Sequence, residues 1–577
     1  MHTVETVLLV LMLGALTGIV ARYIRAIPLP LIQIALGAAI AWPQSGLHIA
    51  FDPELFMLLF IPPLLFADGW RIPKREFFAL ARPILLLALG LVVFTVFGLG
   101  YLINWMIPEI PLPVAFALAA VISPTDAVAV SAITRNLGMP DKTMHILEGE
   151  SLLNDASGLV ALKFAVAATL TGTLSWGAVA RDFIWMAVGG LAVGALLGWG
   201  FSYARSTITR RLGDVAATQM VLLLVLLPFA AYIVGEKIGV SGILAAVAAG
   251  IATNFGDLDR SSYVSERLQT EGTWSLVEAA FNGAIFLLLG LQLPSIIGVP
   301  LHEAGHEWWI LVGYVVAISS GLLLLRWIWI TLGVHGALRR AHHSGKMAER
   351  PSALLNLATT FAGIRGAVTL AGALSVPMLL NNGEPFPARG MLIFLATGTI
   401  LFTLVMGSVM LPIILRRLPP PGEPPTVREE RLAREAGCIA AISELTLTEE
   451  DVEQHSPEWV AMHQEVVGRL SQEYRNRLQL LDDGSGVATT LESSREAPEI
   501  VQQRKHRYVL EIETRLKCIR AERDAVYAER HKHRINDETL RNIVSELDLQ
   551  EVSMRKRLIA ARRAAGLDKS KGAHGGH

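Results

Sequence analysis

Long apolar runs fill the first 415 positions, and polar residues interrupt them about as often as a bilayer requires, since a membrane-crossing helix needs roughly 20 apolar residues. Thirteen such runs are predicted, at roughly 4–22, 28–46, 52–70, 83–106, 111–134, 147–171, 180–203, 217–235, 239–254, 275–297, 308–332, 353–381 and 390–415. Two are internally interrupted. The fifth carries "VISPTDAVAV", with Pro124 in mid-span followed by Thr125 and Asp126, and the twelfth carries "FAGIRGAVTLAGALSVP", with Gly363, Arg365 and Gly366 at its centre. Proline removes a backbone donor and glycine loosens a helix, so both runs should break there. In lipid a broken backbone survives only against protein or a wet cavity.

Thirteen divides as six, one linker and six. On that division span n pairs with span n + 7, so the fifth and twelfth are equivalent and run through the membrane in opposite directions. Paired broken spans of this kind point to a transporter built from inverted repeats. The expected fold is therefore an all-α polytopic membrane protein of about 13 transmembrane helices, with broken helices that cross.

The basic residues set an orientation. If the N-terminus lies outside, the cytoplasmic connections hold Arg22 and Arg25, then Arg71, Lys74, Arg75 and Arg82, and further clusters as far as Arg350. The opposite connections hold only Arg181, Lys237 and Arg389. This alternation fits the positive-inside rule. No basic residue precedes the first apolar run, so that run is expected to stay in the membrane as a span.

Composition changes the picture at one point. The mean hydropathy of +0.46, with 52% hydrophobic and 18% charged residues, excludes an ordinary soluble chain. That average conceals two parts. Residues 1–415 form the membrane domain, 416–425 a linker stiffened by "LPPPGEPP", and 426–577 a charged tail expected to be helical and cytoplasmic. In the tail, "VLEIETRLKCIRAERDAVYAERHKHRI" places Leu510, Ile512, Leu516, Ile519 and Val526 at mixed helical spacing, which predicts a hairpin or coiled-coil segment. Cys438 and Cys518 both lie there and read as free thiols. Nothing in the chain suggests a nucleotide or nucleic-acid partner, a cofactor or an enzyme.

Charged groups in lipid are costly and usually mark a pathway. Here they gather in "EGESLLNDASGLV" of span six and at the two breaks. Ser151 and Asp155 are i, i+4 and share a face; Glu150 and Asn154 do the same on the adjacent one. A hydroxyl and a carboxylate are hard oxygen ligands suited to a small cation. Desolvation disfavours a charged carboxylate, whereas a nearby cation favours it, so one acid can hold a proton or a cation in competition. Asp155 is the candidate for that role, with Asp126 as a second ligand. Glu150 and Arg365 are expected to form a buried ion pair between spans six and twelve, since either charge alone would be expensive. Asn154 is expected to hydrogen-bond the broken backbone of span five. Lys163 could meet an acid or snorkel, Asp68 could sit at an interface or in an access funnel, and Glu278 could pack between the two halves. A secondary antiporter is favoured over a cation channel or proton leak, because a channel needs no proton–cation competition.

At these residues the sequence resembles the monovalent cation:proton antiporter family 1, the sodium/proton exchangers that include bacterial NhaP-like proteins. The resemblance covers roughly residues 5–415. It rests on "PPLLFADG", "SPTDAVAV", "GESLLNDASGLV", "GVSGILAAVAAGI" and "GIRGAVTLAGAL" in the family's order. It implies a homodimer of thirteen-helix subunits in the bacterial inner membrane. It also implies an ion site of Asp155, Asp126, Ser151 and the Thr125 backbone, and a Glu150–Arg365 brace. The pair Asn154–Asp155 implies electroneutral one-for-one exchange of sodium, or of lithium or potassium, for a proton. Many family members place proline after the acid of span five; here Ala127 follows Asp126 and the proline is Pro124.

Overall fold

The computed structural model describes residues 2–20, 27–42, 57–134, 137–171, 176–212, 217–256, 264–303, 308–343, 352–380 and 383–418, and in the tail mainly 457–481, most of 505–524 and 537–565. The chain divides into two compact units, Met1–Pro421 and Gly422–His577.

The first unit is a helical bundle. Its elements are α1 (His2–Val20), α2 (Leu29–Ala41), α3 (Ile61–Arg71), α4 (Lys74–Ala79), α5 (Ala81–Leu85), a π-helical segment (Leu86–Leu91) and α6 (Val92–Met106). Then follow α7 (Leu112–Val121), α8 (Ala127–Thr134), α9 (Asp141–Thr171), α10 (Trp176–Leu212), α11 (Ala217–Ile238), α12 (Gly242–Gly256) and α13 (Val264–Glu303). The unit ends with α14 (Trp308–His343), α15 (Ala353–Phe361), α16 (Ala367–Leu374) and α17 (Arg389–Leu415). Each expected span corresponds to a helical element, and the two expected breaks separate α7 from α8 and α15 from α16. Among the described residues seven helices are long and apolar enough to cross a membrane alone, and α1, α2, α7 and α12 contribute shorter apolar stretches. Prolines sit in the first turns of α2, α3 and α7, where the missing N–H costs no helical bond.

The packing sorts the spans into two sets. α1, α2 and α3 pack with α10 to α13, while the π segment and α6 to α9 pack with α14 to α17. Each repeat therefore gives its first three spans to one bundle and its last three to the other. Small residues bring the helices of the first bundle into backbone contact: Gly37 of α2 meets Gly290 of α13, and Gly190, Gly194 and Gly198 of α10 meet Ser241, Ala245 and Ala249. Among lipid tails, which are as apolar as leucine, such close packing is what holds helices together.

In the tail, α18 (Pro457–Leu481), the helical residues between 508 and 524, and α19 (Asp537–Ala564) are described. Val509, Ile512, Leu516 and Ile519 are buried, an i, i+3, i+7, i+10 seam, whereas Leu510 is 62% exposed. Ile512, Leu516 and Ile519 thus lie on the buried face as expected, and Val509 takes the place expected for Leu510. Arg562 pairs with Glu513, and Arg523 pairs with Asp548 and Glu551, so this segment and α19 run antiparallel. Val526, Cys518 and the expected linker beyond Leu418 lie outside the described residues; Cys438 is buried.

Candidate functional site: the crossing of two broken helices

The two breaks meet. Residues 122–126 and 362–366 are both non-helical, and the Asp126 N–H donates to the Ile364 carbonyl at 2.8 Å. The contact is close enough that a Cβ on Gly366 would lie 2.6 Å from Cβ of Asp126 and strike its carboxylate. The backbone groups freed by the breaks find partners from neighbouring helices. Ser151 of α9 donates to the Thr125 carbonyl at 2.8 Å and accepts from the Ala127 N–H at 3.2 Å. Oδ1 of Asp126 accepts from the Val128 and Ala129 amides at 2.9 and 3.1 Å, capping the N-terminus of α8. In the other break the Arg365 N–H donates to Oγ1 of Thr403 at 3.2 Å, and the Arg365 side chain donates to the Gly363 carbonyl at 3.1 Å.

α9 presents the expected acids to this crossing. Glu150 is fully buried, Asn154 and Asp155 nearly so, and Thr125 is 4% exposed. Glu150 does not pair with Arg365. Its carboxylate is held through both oxygens by Arg326 of α14, with Nη1 on Oε1 and Nη2 on Oε2, the latter at 2.8 Å. Arg326 also donates from Nε to the Thr359 carbonyl at 3.2 Å, which ties α15 to the same pair. The fork of a guanidinium on a regular helix reaches both carboxylate oxygens. Arg365, on an irregular stretch, turns back onto its own break, and its Nε has no hydrogen-bond partner.

Asn154 also differs from the expectation. Its Nδ2 donates to Oγ1 of Thr125 at 2.8 Å, so it holds a side chain rather than the broken backbone; Ser151 holds the backbone instead. Asp155 accepts no hydrogen bond and forms no ion pair among the described residues, and the charges that act on it through space are those of Asp126 and Asp68. Pro124 lies in the break with Gly158 of α9 packed against its ring.

The remaining expectations resolve individually. Lys163 pairs with Glu236 at the end of α11, and Glu236 accepts from the Gly242 amide at 3.2 Å, so the pair joins α9 to the α11–α12 corner. Asp68 is exposed although both its neighbours in α3 are buried. Glu278 of α13 pairs with Arg71 at the end of α3. No group of three His, Cys, Asp or Glu side chains gathers as a metal centre among the described residues.

Comparison with known proteins decides the class. The family described as "Sodium/hydrogen exchanger, transmembrane" matches residues 8–417. The chain belongs to this sodium/hydrogen exchanger family. The exchanger is 44% identical over 559 residues to the uncharacterized Na(+)/H(+) exchanger YjcE of Escherichia coli, covering 95% of this chain and 98% of that one. It is 46% identical over 413 residues to the sodium, potassium, lithium and rubidium/H(+) antiporter of Bacillus pumilus, covering 71% of this chain and 60% of that one. In fold it matches the sodium proton antiporter MjNhaP1 of Methanocaldococcus jannaschii with a TM-score of 0.55 at 19% identity, covering 72% of this chain and 99% of that one. The exchanger is thus a multi-pass cation/proton antiporter, not an enzyme.

Arg326 escapes a reading based on span six and the breaks alone. Arg326 carries a signal of its own, a lone charge in the apolar run "LLLLRWIWI", and buried charges seek partners.

Proposed function

We propose that Asp155 is the carrier of this antiporter and holds either one proton or one monovalent cation. Asp126 through Oδ2, Ser151 and the Thr125 carbonyl are the further oxygen ligands. The observation that carries the reading is the contrast between the two buried acids of α9. Glu150 is neutralised at both oxygens by Arg326, whereas Asp155 has no fixed partner among the described residues and follows by one helical turn Ser151, which bonds the broken backbone of span five. A carboxylate already paired twice has nothing to exchange. One left unpaired in low dielectric must bind a proton or a cation to be stable.

Exchange then follows from competition. A cation arriving at Asp155 displaces its proton, and a proton arriving displaces the cation, so each crossing carries one positive charge. Asn154 cannot titrate, which leaves one exchangeable acid per cycle and an electroneutral one-for-one stoichiometry. The basic residues at the Arg71 end of the bundle support a cytoplasmic face there, an external N-terminus and an inner-membrane location. The exposed Asp68 fits an access funnel from that side. Sodium is the leading cargo; potassium and lithium bind the same oxygens, and the names of the Bacillus relatives include all three.

Everted vesicles with a pH-sensitive dye test the reading. Sodium, lithium and potassium are added in turn to wild type and to Asp155→Asn. The variant, inserted at wild-type levels, should release no accumulated protons with any cation; normal exchange would remove Asp155 from the mechanism. In proteoliposomes clamped with potassium and valinomycin, sodium-driven proton flux should not change with the imposed voltage. Strong voltage dependence would make Asp126 a second proton carrier.

A further inference from the structure

Span four contains one irregularity that neither the ion site nor the breaks require. Between Leu86 and Leu91 it is π-helical, flanked by α5 and α6, and the segment itself contains no proline, the nearest being Pro83 in α5. A π segment displaces carbonyls from the usual ladder, and such segments are frequent at functional sites. Here two carbonyls of the segment also accept side-chain donors from other spans. The Ser157 hydroxyl of α9 lies 2.7 Å from the Ala88 carbonyl, closer than the 3.0 Å to the Asn154 carbonyl of its own helix. The indole N–H of Trp329 in α14 donates to the Leu86 carbonyl at 3.1 Å.

Both donors sit on helices that carry the buried ion pair, and on the faces that carry it. Ser157 is seven residues, two turns, beyond Glu150, and Trp329 is three beyond Arg326. The fit is close. A Cβ on Gly90 of the π segment would lie 2.5 Å from the Trp329 ring, and one on Gly149 of α9 would lie 2.6 Å from Ile84 just before the segment. Three polar contacts therefore close a triangle: Glu150 to Arg326, Trp329 to Leu86 and Ser157 to Ala88. Asp155 lies about 200° around α9 from Ser157, on the opposite side of the helix. Whatever fixes the rotation of α9 at Ser157 fixes where Asp155 points.

We propose that the π segment of span four is the seat on which α9 is aligned, with Ser157 and Trp329 as positioning residues that set the approach of Asp155 to the ligands of the broken span. The inference rests on Asp155 being the ion site. It assigns to Ser157 an effect on cation affinity without contact with the cation. The bilayer offers no water to replace a lost donor, so the Ala88 and Leu86 carbonyls hold their partners firmly.

The test uses full-length protein, with two readouts. One is the cation concentration for half-maximal exchange, separated from the maximal rate. The other is the cation concentration that half-maximally raises the melting temperature in detergent, which needs no transport. Ser157→Ala and Trp329→Phe should each raise both half-points roughly tenfold, as loss of an outer-sphere partner does at ligand sites. Ser157→Thr, which keeps the hydroxyl, should recover most of the loss. Thr169→Ala, which removes a hydroxyl bonded only within α9, should leave both half-points unchanged. If Ser157→Ala and Trp329→Phe melt lower but keep wild-type half-points, the triangle merely holds the bundle together and the proposal falls. Asp155→Asn is the reference and should abolish the cation-dependent melting shift. If it does not, the ion site itself is wrong and the alignment argument falls with it.

Discussion

Removing Arg326 tests the polar centre most directly. In Arg326→Gln the Glu150 carboxylate loses both of its guanidinium bonds while remaining fully buried. An uncompensated buried charge of this kind costs about 3–5 kcal/mol. Arg365 is close enough to interact with Glu150 through space and offsets part of that loss, so the lower end, about 3 kcal/mol, is expected. Arg365→Gln is a contrasting case. It removes one bond to the Gly363 carbonyl and also relieves the repulsion between Arg365 and Arg326, so its cost should be about 1 kcal/mol. Glu150→Gln strands Arg326 in the same way that Arg326→Gln strands Glu150. The double variant Glu150→Gln, Arg326→Gln leaves no orphaned charge at that position and should recover at least about 2 kcal/mol relative to the sum of the singles. Melting of the four variants in detergent, read as a double-mutant cycle, gives the coupling. Additive effects, or an Arg365 variant that melts below the Arg326 variant, would refute the pairing.

Three further outcomes follow from particular contacts. Gly366→Ala should abolish exchange while leaving the protein in the membrane, because the added methyl displaces the Asp126 carboxylate; proton flux in everted vesicles reads this. Lys163 and Glu236 are 50% and 37% exposed, so their pair is worth no more than about 1 kcal/mol and can break in every cycle. Lys163→Glu should lower the exchange rate, and the charge swap with Glu236→Lys should restore it; failure of the swap would leave the pair without a role in transport. In the tail, hydrogen bonds from Arg523 and then Arg555 hold the Glu551 carboxyl below its ordinary value of 4.5. A folded value below the unfolded one means that the contribution is present above about pH 4.5 and fades as pH falls through the folded value. Hydrogen exchange of residues 547–565 should therefore differ between wild type and Glu551→Gln at neutral pH and converge in acid.

The spans and the two breaks were legible because lipid enforces them: a helix must be long and apolar, and a proline or glycine pair in mid-membrane has few uses. The i, i+4 pairing of Ser151 with Asp155 correctly put both on one face of α9. The partner of Glu150 was not legible in the same way. Arg365 and Arg326 are both far from it in sequence, and the choice depends on which helix brings a guanidinium fork into its plane. Arg326 stands on a regular helix with its carboxylate partner across the interface, whereas Arg365 stands on a break whose own carbonyl is nearer. The double use of Ser151 was hidden for a related reason, since a hydroxyl read as a ligand also satisfies backbone freed by a break. "LLALGL" carries no mark of a π segment, because the donors that meet its carbonyls come from α9 and α14, far away in sequence. In the tail, Leu510 departs from the expected apolar face, which Ile512, Leu516 and Ile519 keep, because Val509 is buried in its place.

The glycine contact between α2 and α13 has a consequence for how the protein is made. Gly37 and Gly290 touch backbone to backbone, and Gly14 of α1 meets Gly283 on the same α13. α1 and α2 are made well before α13, yet they pack on it, and neither repeat can complete a bundle from its own spans. Until α13 is inserted, α1 and α2 wait in the bilayer with their small-residue faces uncovered. A chain stopped after α9 should be a substrate for membrane proteases, while the same fragment made alongside a second piece from α10 onward should find its seam and persist.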